Sequence, residues 1–186
     1  MEQCSWPQGN ALMQTYHDEE WCRPNYDDRY IFEMLILEGA QAGLSWSIVL
    51  AKREAYQAAF NNFDIEYCAG LNDEDLEAIR ENDNVIKHFA KLQSVPTNAQ
   101  AVLKIQKEFN SFSDFLWRFV EYEPVINSWE TDAQIPPQSP LSVQISKDLK
   151  KRSFKFVGPV TTYSFLQAIG MVDDHIRSCK FHTLNR

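Results

Sequence analysis

The chain has 186 residues, 44% of them hydrophobic and 24% charged, with a formal net charge of −8. That is one large domain or two small lobes, and it excludes disordered, fibrous and collagen-like chains. Surface scaling predicts a folded area of roughly 9,200 Å², with about 70% of the unfolded surface buried, so no disulfide scaffold is needed.

The chain predicts helices, because spacing near 3.6 is common and period-2 alternation is scarce. Met1-Glu2-Gln3-Cys4 opens it without a basic or apolar leader, so no secretory signal is expected. Asp27 and Asp28 predict the start of a helix running to about Ala42, apolar nearly all round. Glu33 and Glu38 within it exclude a membrane span. Ser45 is expected to cap the next helix, through Val49, Tyr56 and Phe60, and Asn72 another with Leu76 and Ile79. A helix is expected from about Asn98 to Phe109, and one starting at Ser113 with Leu116, Phe119 and Val120. The stretch 123–140 holds four prolines and reads as a long loop, a candidate boundary between lobes. Ser142 is expected to cap a helix with Ile145 and Leu149. Pro159 suits the first turn of the last helix, which Gly170 ends.

Four features could carry chemistry. Cys4 and His17 near one end, with His175 and Cys179 at i, i+4 near the other, make either a closed structural zinc site or unrelated core thiols and histidines. Cys22 and His182 are nearby decoys. Glu38 lies on the helix face of Ile31, Met34 and Leu35. A carboxylate there is costly without a partner, so it is a site candidate or a satisfied structural acid. Tyr16, Trp21 and Trp46 are aromatics that could stack on a base or hold a cation, or simply fill a core. Finally, 147–155 carries five cations and one anion, so it is +4 and the remainder is −12. It leads through Phe154 and Gly158 into Pro159. Free N–H groups at such a turn bind phosphate without reading sequence, although an overall charge of −8 argues against nucleic acid and a solvated helix face would look similar.

Together, Tyr16-His17-Asp18, Glu20-Trp21, Leu37-Glu38-Gly39, Gln41-Ala42-Gly43-Leu44-Ser45-Trp46, Lys52-Arg53-Glu54, Asp148 to Arg152, Phe154 to Gly158, Tyr163-Ser164-Phe165, Gln167-Ala168 and Asp174-His175 with Cys179 resemble the 3-methyladenine DNA glycosylase I family of helix-hairpin-helix glycosylases, from end to end of the chain. The resemblance implies an all-α helix-hairpin-helix fold in a single domain over 1–186, its termini joined by one structural zinc ion on Cys4, His17, His175 and Cys179. It implies hydrolytic excision of 3-methyladenine from alkylated double-stranded DNA, without lyase activity. Glu38 would be the catalytic residue, hydrogen-bonding the base, with Tyr16 and Trp46 on its faces and Trp21 lining the pocket. Gly43 and Leu44 would sit at the DNA surface, and Lys150, Lys151, Lys155, Phe156, Val157 and Gly158 would hold phosphates. A monomeric cytoplasmic bacterial protein is expected, with no membrane partner.

The chain departs from the family at Met13, where Tyr is frequent, at Cys22 and Ser153, where Gly is usual, and at Asp173, where Asn is usual. Met13 opens the alternative of a non-catalytic module that binds alkylation damage. Asp173 or Asp174 could activate water, though capping the turn that bears His175 is the expected role.

Overall fold

The fold is organised around its second helix, whose apolar surface forces it inside. The computed structural model describes residues 4–186, so the first three residues of the N-terminal reading lie outside the described residues. Ten α-helices and one pair of two-residue strands are present among them. α1 spans Ala11–Glu19 and α2 spans Asp28–Gln41. Asp27 caps α2 by accepting from the Tyr30 N–H, and every residue from Ile31 to Ala40 is buried. α2 packs against α3 (Trp46–Leu50), α7 (Phe89–Phe109), α8 (Phe112–Trp117) and α10 (Pro159–Ala168).

Between these lie α4 (Arg53–Ala59), α5 (Ile65–Ala69) and α6 (Asp73–Asn82). α6 starts at Asn72 as expected, in a capping box with Asp75. The loop 123–140 carries β1 (Val125–Ile126), which pairs in parallel with β2 (Val172–Asp173). α9 is Pro140–Lys151. The buried apolar side chains form one continuous cluster, and the accessible surface of 9,049 Å² agrees with the scaling value. Among the described residues, no helix is long and apolar enough to cross a membrane.

Several boundaries differ from expectation. The helix expected from Ser45 to Phe60 breaks at Ala51–Lys52 into α3 and α4, and the Ser45 side chain makes no cap bond. α7 begins nine residues before Asn98 and runs through Pro96, which sits buried in the helix. α8 is capped by Ser111 rather than Ser113. α9 is capped by Ser139, with Ser142 answering it as the third residue of the capping box. α1 and the short α5 carry too little periodicity to announce themselves.

Two of the departures from the family occupy left-handed backbone: Cys22 at φ 58° and Ser153 at φ 73°. Both positions impose the conformation that glycine adopts freely. Gly170, at φ 73°, is there of necessity, because a Cβ would lie 2.1 Å from the Arg23 carbonyl carbon and 2.2 Å from the Pro24 nitrogen. Opposite responses are expected at the two turns. Ser153→Gly should stabilise by about 0.5–1 kcal/mol, raising Tm by about 1–4 °C. Gly170→Ala should destabilise by at least about 3 kcal/mol in denaturant melts.

Candidate functional site

α2 brings two acids into the interior, and their surroundings separate their roles. The Glu33 carboxylate is paired: Arg53 Nε lies 2.8 Å away and Gln57 donates at 2.7 Å, while Arg53 Nη1 holds Glu20 at 2.8 Å. Glu38, 5% exposed, is left differently. Its Oε2 is sealed from solvent and has no partner among the described residues. Burial alone pushes its carboxyl up to about 8.

Glu38 lines a cavity of about 300 Å³ with Trp6, Tyr16, Trp21, Trp46 and Gln167. The expected base-pocket residues are therefore brought together. Tyr16 and Trp46 lie 5.2 Å apart between ring centroids at 53°, and Trp6 meets Trp21 edge-on at 5.0 Å. Burial, then the nearby Glu38 charge, pushes the Tyr16 phenol well above its ordinary value, so it stays a neutral hydroxyl. Tyr16 OH, Trp6 Nε1 and Trp46 Nε1 are also dry and unpartnered among the described residues. Such atoms are rare in finished cores and call for an explanation such as a bound ligand, ion or water. Met13, in contrast, is half-buried against the core and is not among the residues lining the cavity.

Beside the pocket, the structure gathers the metal-type residues. The ligand atoms of Cys4, His17 and Cys179, all buried, lie within 4.8 Å of one another. His175 lies beside them, its ring centroid 4.8 Å from that of His17, although its ligand atom groups within 4.8 Å with those of Cys22 and Asp173 rather than with this set. Its Nε2 is buried and unpartnered among the described residues, while its Nδ1 faces Asp173 Oδ1 at 2.8 Å. His17 Nδ1 likewise faces Asp18 Oδ1 at 2.7 Å. Carboxylates behind both rings leave both Nε2 atoms free to ligate, as at metal centres. The Cys179 thiol is pulled down by its bonds from Cys4 and His17, toward the thiolate a metal needs. Two thiols and two imidazoles are the ligand types that suit zinc, and three of the four have their ligand atoms within 4.8 Å of one another. The decoys are otherwise occupied: Cys22 Sγ accepts from the Asp174 N–H, and His182 Nε2 meets the Asn127 carbonyl at 2.8 Å.

Neither Asp173 nor Asp174 is free to activate water. Asp174 is fully buried and accepts from Asn127, Trp129, Tyr163 and Gln167 at 2.6–2.7 Å. Asp173 is tied to His175, Thr183 and Arg186. Against the cost of burial, hydrogen bonds from His175 and Thr183 hold its carboxyl well below the usual range.

A polar face adjoins the cavity. Gly43, at φ 80°, turns the chain so that Leu44, 39% exposed, stands at a cleft also lined by Glu38, Val160 and Ser164. Lys91 Nζ fixes this turn from beneath, donating to the Ala40 and Ala42 carbonyls at 2.7 Å each. The turn 152–158 between α9 and α10 is braced by Asn98, which accepts from the Lys155 N–H and donates to the Lys155 carbonyl. The N–H groups of Phe156, Val157 and Gly158 have no partner among the described residues. Lys150, Lys151 and Lys155 are exposed, but the Val157 side chain is buried, so only its backbone can face a ligand. Arg152, counted above in the basic run, is occupied: it bonds both Glu108 oxygens at 2.6 and 2.8 Å and stacks over Phe109 and Phe115. Gly39 admits the turn, because a Cβ there would sit 3.2 Å from Phe156 Cβ.

Sequence reasoning missed Trp6, Asp132 and Ile135 as pocket residues, and gave no role to Gln41, Ser164 and Gln167, although these last three lie in the matched blocks. Trp6, two residues beyond Cys4, was reachable by proximity. Asp132 and Ile135, in the proline-rich loop, carry no signal.

The sequence profile described as methyladenine glycosylase matches residues 6–183. The DNA-3-methyladenine glycosylase of Haemophilus influenzae is 42% identical over 180 residues, 97% of each chain. DNA-3-methyladenine glycosylase 1 of Escherichia coli is 44% identical over 179 residues, 96% of each. A crystal structure of a 3-methyladenine DNA glycosylase I superposes with TM-score 0.94 at 45% identity, covering 97% of this chain and all of that one. A tyrosine-to-phenylalanine variant of such an enzyme, in complex with 3-methyladenine, superposes with TM-score 0.94 at 37% identity over 98% of each chain.

The raised Glu38 carboxyl has a thermodynamic consequence. Ionising it costs more in the folded than in the unfolded chain, so stability falls as pH rises from about 4.5 to about 8, by at most a few kcal/mol. Glu38→Gln removes that cost. The Tm of the variant minus that of the native protein should therefore grow with pH across this window and level off above it, as differential scanning fluorimetry would show.

Proposed function

This chain belongs to the methyladenine glycosylase family, and from that premise we propose that it excises 3-methyladenine from alkylated DNA, leaving an abasic site. The observation that carries this reading is the buried, unpartnered Glu38 carboxyl inside a box of aromatic rings. N3-methylation gives the base a delocalised positive charge and weakens its bond to the sugar. The N9–C1′ bond breaks with its electron pair going to the base, which leaves neutral. Water adds to C1′ and loses its proton to solvent. No strong acid is needed, and no side chain is assigned as general base.

Selection of the cation is the enzyme's task. With the pocket empty, Glu38 is mostly protonated at neutral pH. A cation arriving beside it favours the carboxylate, so the attractive charge develops mainly for a charged base. A charge-assisted hydrogen bond contributes roughly 1.5–3 kcal/mol, and ring contact with the cation up to ~2 kcal/mol. Together these offset a flipping cost of a few kcal/mol, which a neutral adenine could not recover. Tyr16 and Trp46 would bracket the base, Trp21 would close the wall, and Leu44 would fill the gap in the duplex. The turn 152–158 would act as the hairpin of a helix-hairpin-helix unit, its free N–H groups and Lys150, Lys151 and Lys155 holding phosphates.

The test is chromatography of bases released from methylated DNA. Free 3-methyladenine with 7-methylguanine retained is expected from the native protein. Glu38→Gln should lose about 10- to 150-fold in excision while still binding abasic DNA. Well-folded protein that releases nothing would overturn the enzymatic reading in favour of a damage-binding module.

Cys4, His17, His175 and Cys179 would hold one zinc ion as a closed tetrahedral site. Bound there, the metal supplies a cross-link between the chain ends rather than chemistry. Metal analysis should find one zinc per chain. Chelation should lower Tm by several degrees, and Cys179→Ala should show the same loss and no further response to chelator.

A further inference from the structure

Glu38 is not the only carboxylate on the cavity. Asp132 lines it too, from the loop between β1 and α9. Its Oδ2 accepts from the Ser5 backbone N–H and from the Ser5 hydroxyl, both at 2.6 Å. Its Oδ1 is sealed from solvent and has no partner among the described residues. An aspartate that only tethered Ser5 would satisfy its second oxygen in water, because a dry, unpaired carboxylate oxygen is costly. Five unpartnered polar atoms thus belong to residues that line one cavity: an oxygen each of Glu38 and Asp132, the Tyr16 hydroxyl, and the indole nitrogens of Trp6 and Trp46. No Lys or Arg is among the described residues lining it.

We propose that Asp132 is a specificity-determining residue, the second carboxylate of the base pocket, whose Oδ1 accepts an N–H of the bound cationic purine. The inference rests on the base-excision reading above. Two carboxylates without a counter-ion raise the affinity for a positively charged base and do little for a neutral one. Ser5 is then a positioning residue. Its two bonds hold Oδ2 and fix the carboxylate where Asp132 lines the cavity. Ser5 stands between Cys4 and Trp6, so the segment that sets this aim also supplies a metal-type ligand and a pocket wall.

Asp132→Asn separates charge from tether, because its amide oxygen still accepts from Ser5. Binding is read by quenching of tryptophan fluorescence, with two free-base probes: 3,9-dimethyladeninium, which carries a fixed positive charge, and neutral adenine. The native protein should prefer the cation. The variant should bind the cation about 10-fold more weakly, with adenine changed less than about 2-fold and Tm within about a degree of native. Its kcat/KM for 3-methyladenine excision should fall by a similar factor. Equal shifts for both probes, or no shift for either, would overturn the proposal and leave Asp132 as a tether. So would a native protein without preference for the cation. The titration does not depend on excision. If the native protein releases no base from DNA, the enzymatic reading fails, and the two probes still decide whether Asp132 selects charge.

Discussion

Holding the Glu38 carboxyl dry, with one oxygen unpaired, is unfavourable by a few kcal/mol, and the neighbouring elements are arranged so that it stays that way. α2 cannot swing the residue outward, because its whole circumference from Ile31 to Ala40 is buried. The other acid of that helix is met by Arg53 and Gln57, so the interior carries its ionic load away from the cavity. Around Glu38 four of the lining residues are aromatic rings, and none of the described lining residues is a Lys or Arg. The result is a polar group that waits for a ligand, and a rigid frame that keeps the protein from satisfying it internally.

The frame depends in turn on the two chain ends. His17 follows Tyr16 directly, and Trp21 stacks on His17 at 5.8 Å and meets His175 edge-on at 4.7 Å. One face of α1 and its following turn therefore serves the Cys–His cluster while the adjacent face serves the pocket. Trp6 reaches both, packing on His17 at 5.4 Å and lining the cavity. An ion held in that cluster, as proposed, would fix the pocket wall from behind and would take no part in the reaction.

Much of this was legible from residue order, where the physics is local. Asp27 ahead of an all-apolar run marks α2, and Glu38 stands out because it interrupts that run. The Cys4, His17, His175 and Cys179 set is visible as types, although their proximity is a tertiary fact that spacing alone leaves open. Apart from one cap, what was hidden depends mostly on partners far along the chain. Ser139 outcompetes Ser142 as a cap because Pro140 fixes the first turn after it. α7 extends back through Pro96 because it is packed against α5 and α6, which outweighs the local preference. Asp132 lies in a loop that reads as a connector, and only the Ser5 contact makes it a wall. Arg152 looks like any member of a basic run until Glu108 and two phenylalanines are found around it.

Charge on the proposed DNA face has to satisfy two opposed demands. Phosphates call for positive potential, whereas a cationic base calls for negative potential a few residues away. The chain separates them by using different kinds of group. Fixed N–H dipoles at Phe156, Val157 and Gly158, with exposed Lys150, Lys151 and Lys155, supply the positive side. These dipoles add no net charge, so they leave the pocket's field nearly intact. Arg152, whose guanidinium would reach furthest, is neutralised by Glu108 and set against aromatic faces. The two regions can then lie almost in contact, with Phe156 of the turn against Gly39, the residue after Glu38. Glycine suits that close approach: a Cβ at Gly39 would lie 3.2 Å from Phe156 Cβ and press on the turn proposed to hold phosphate.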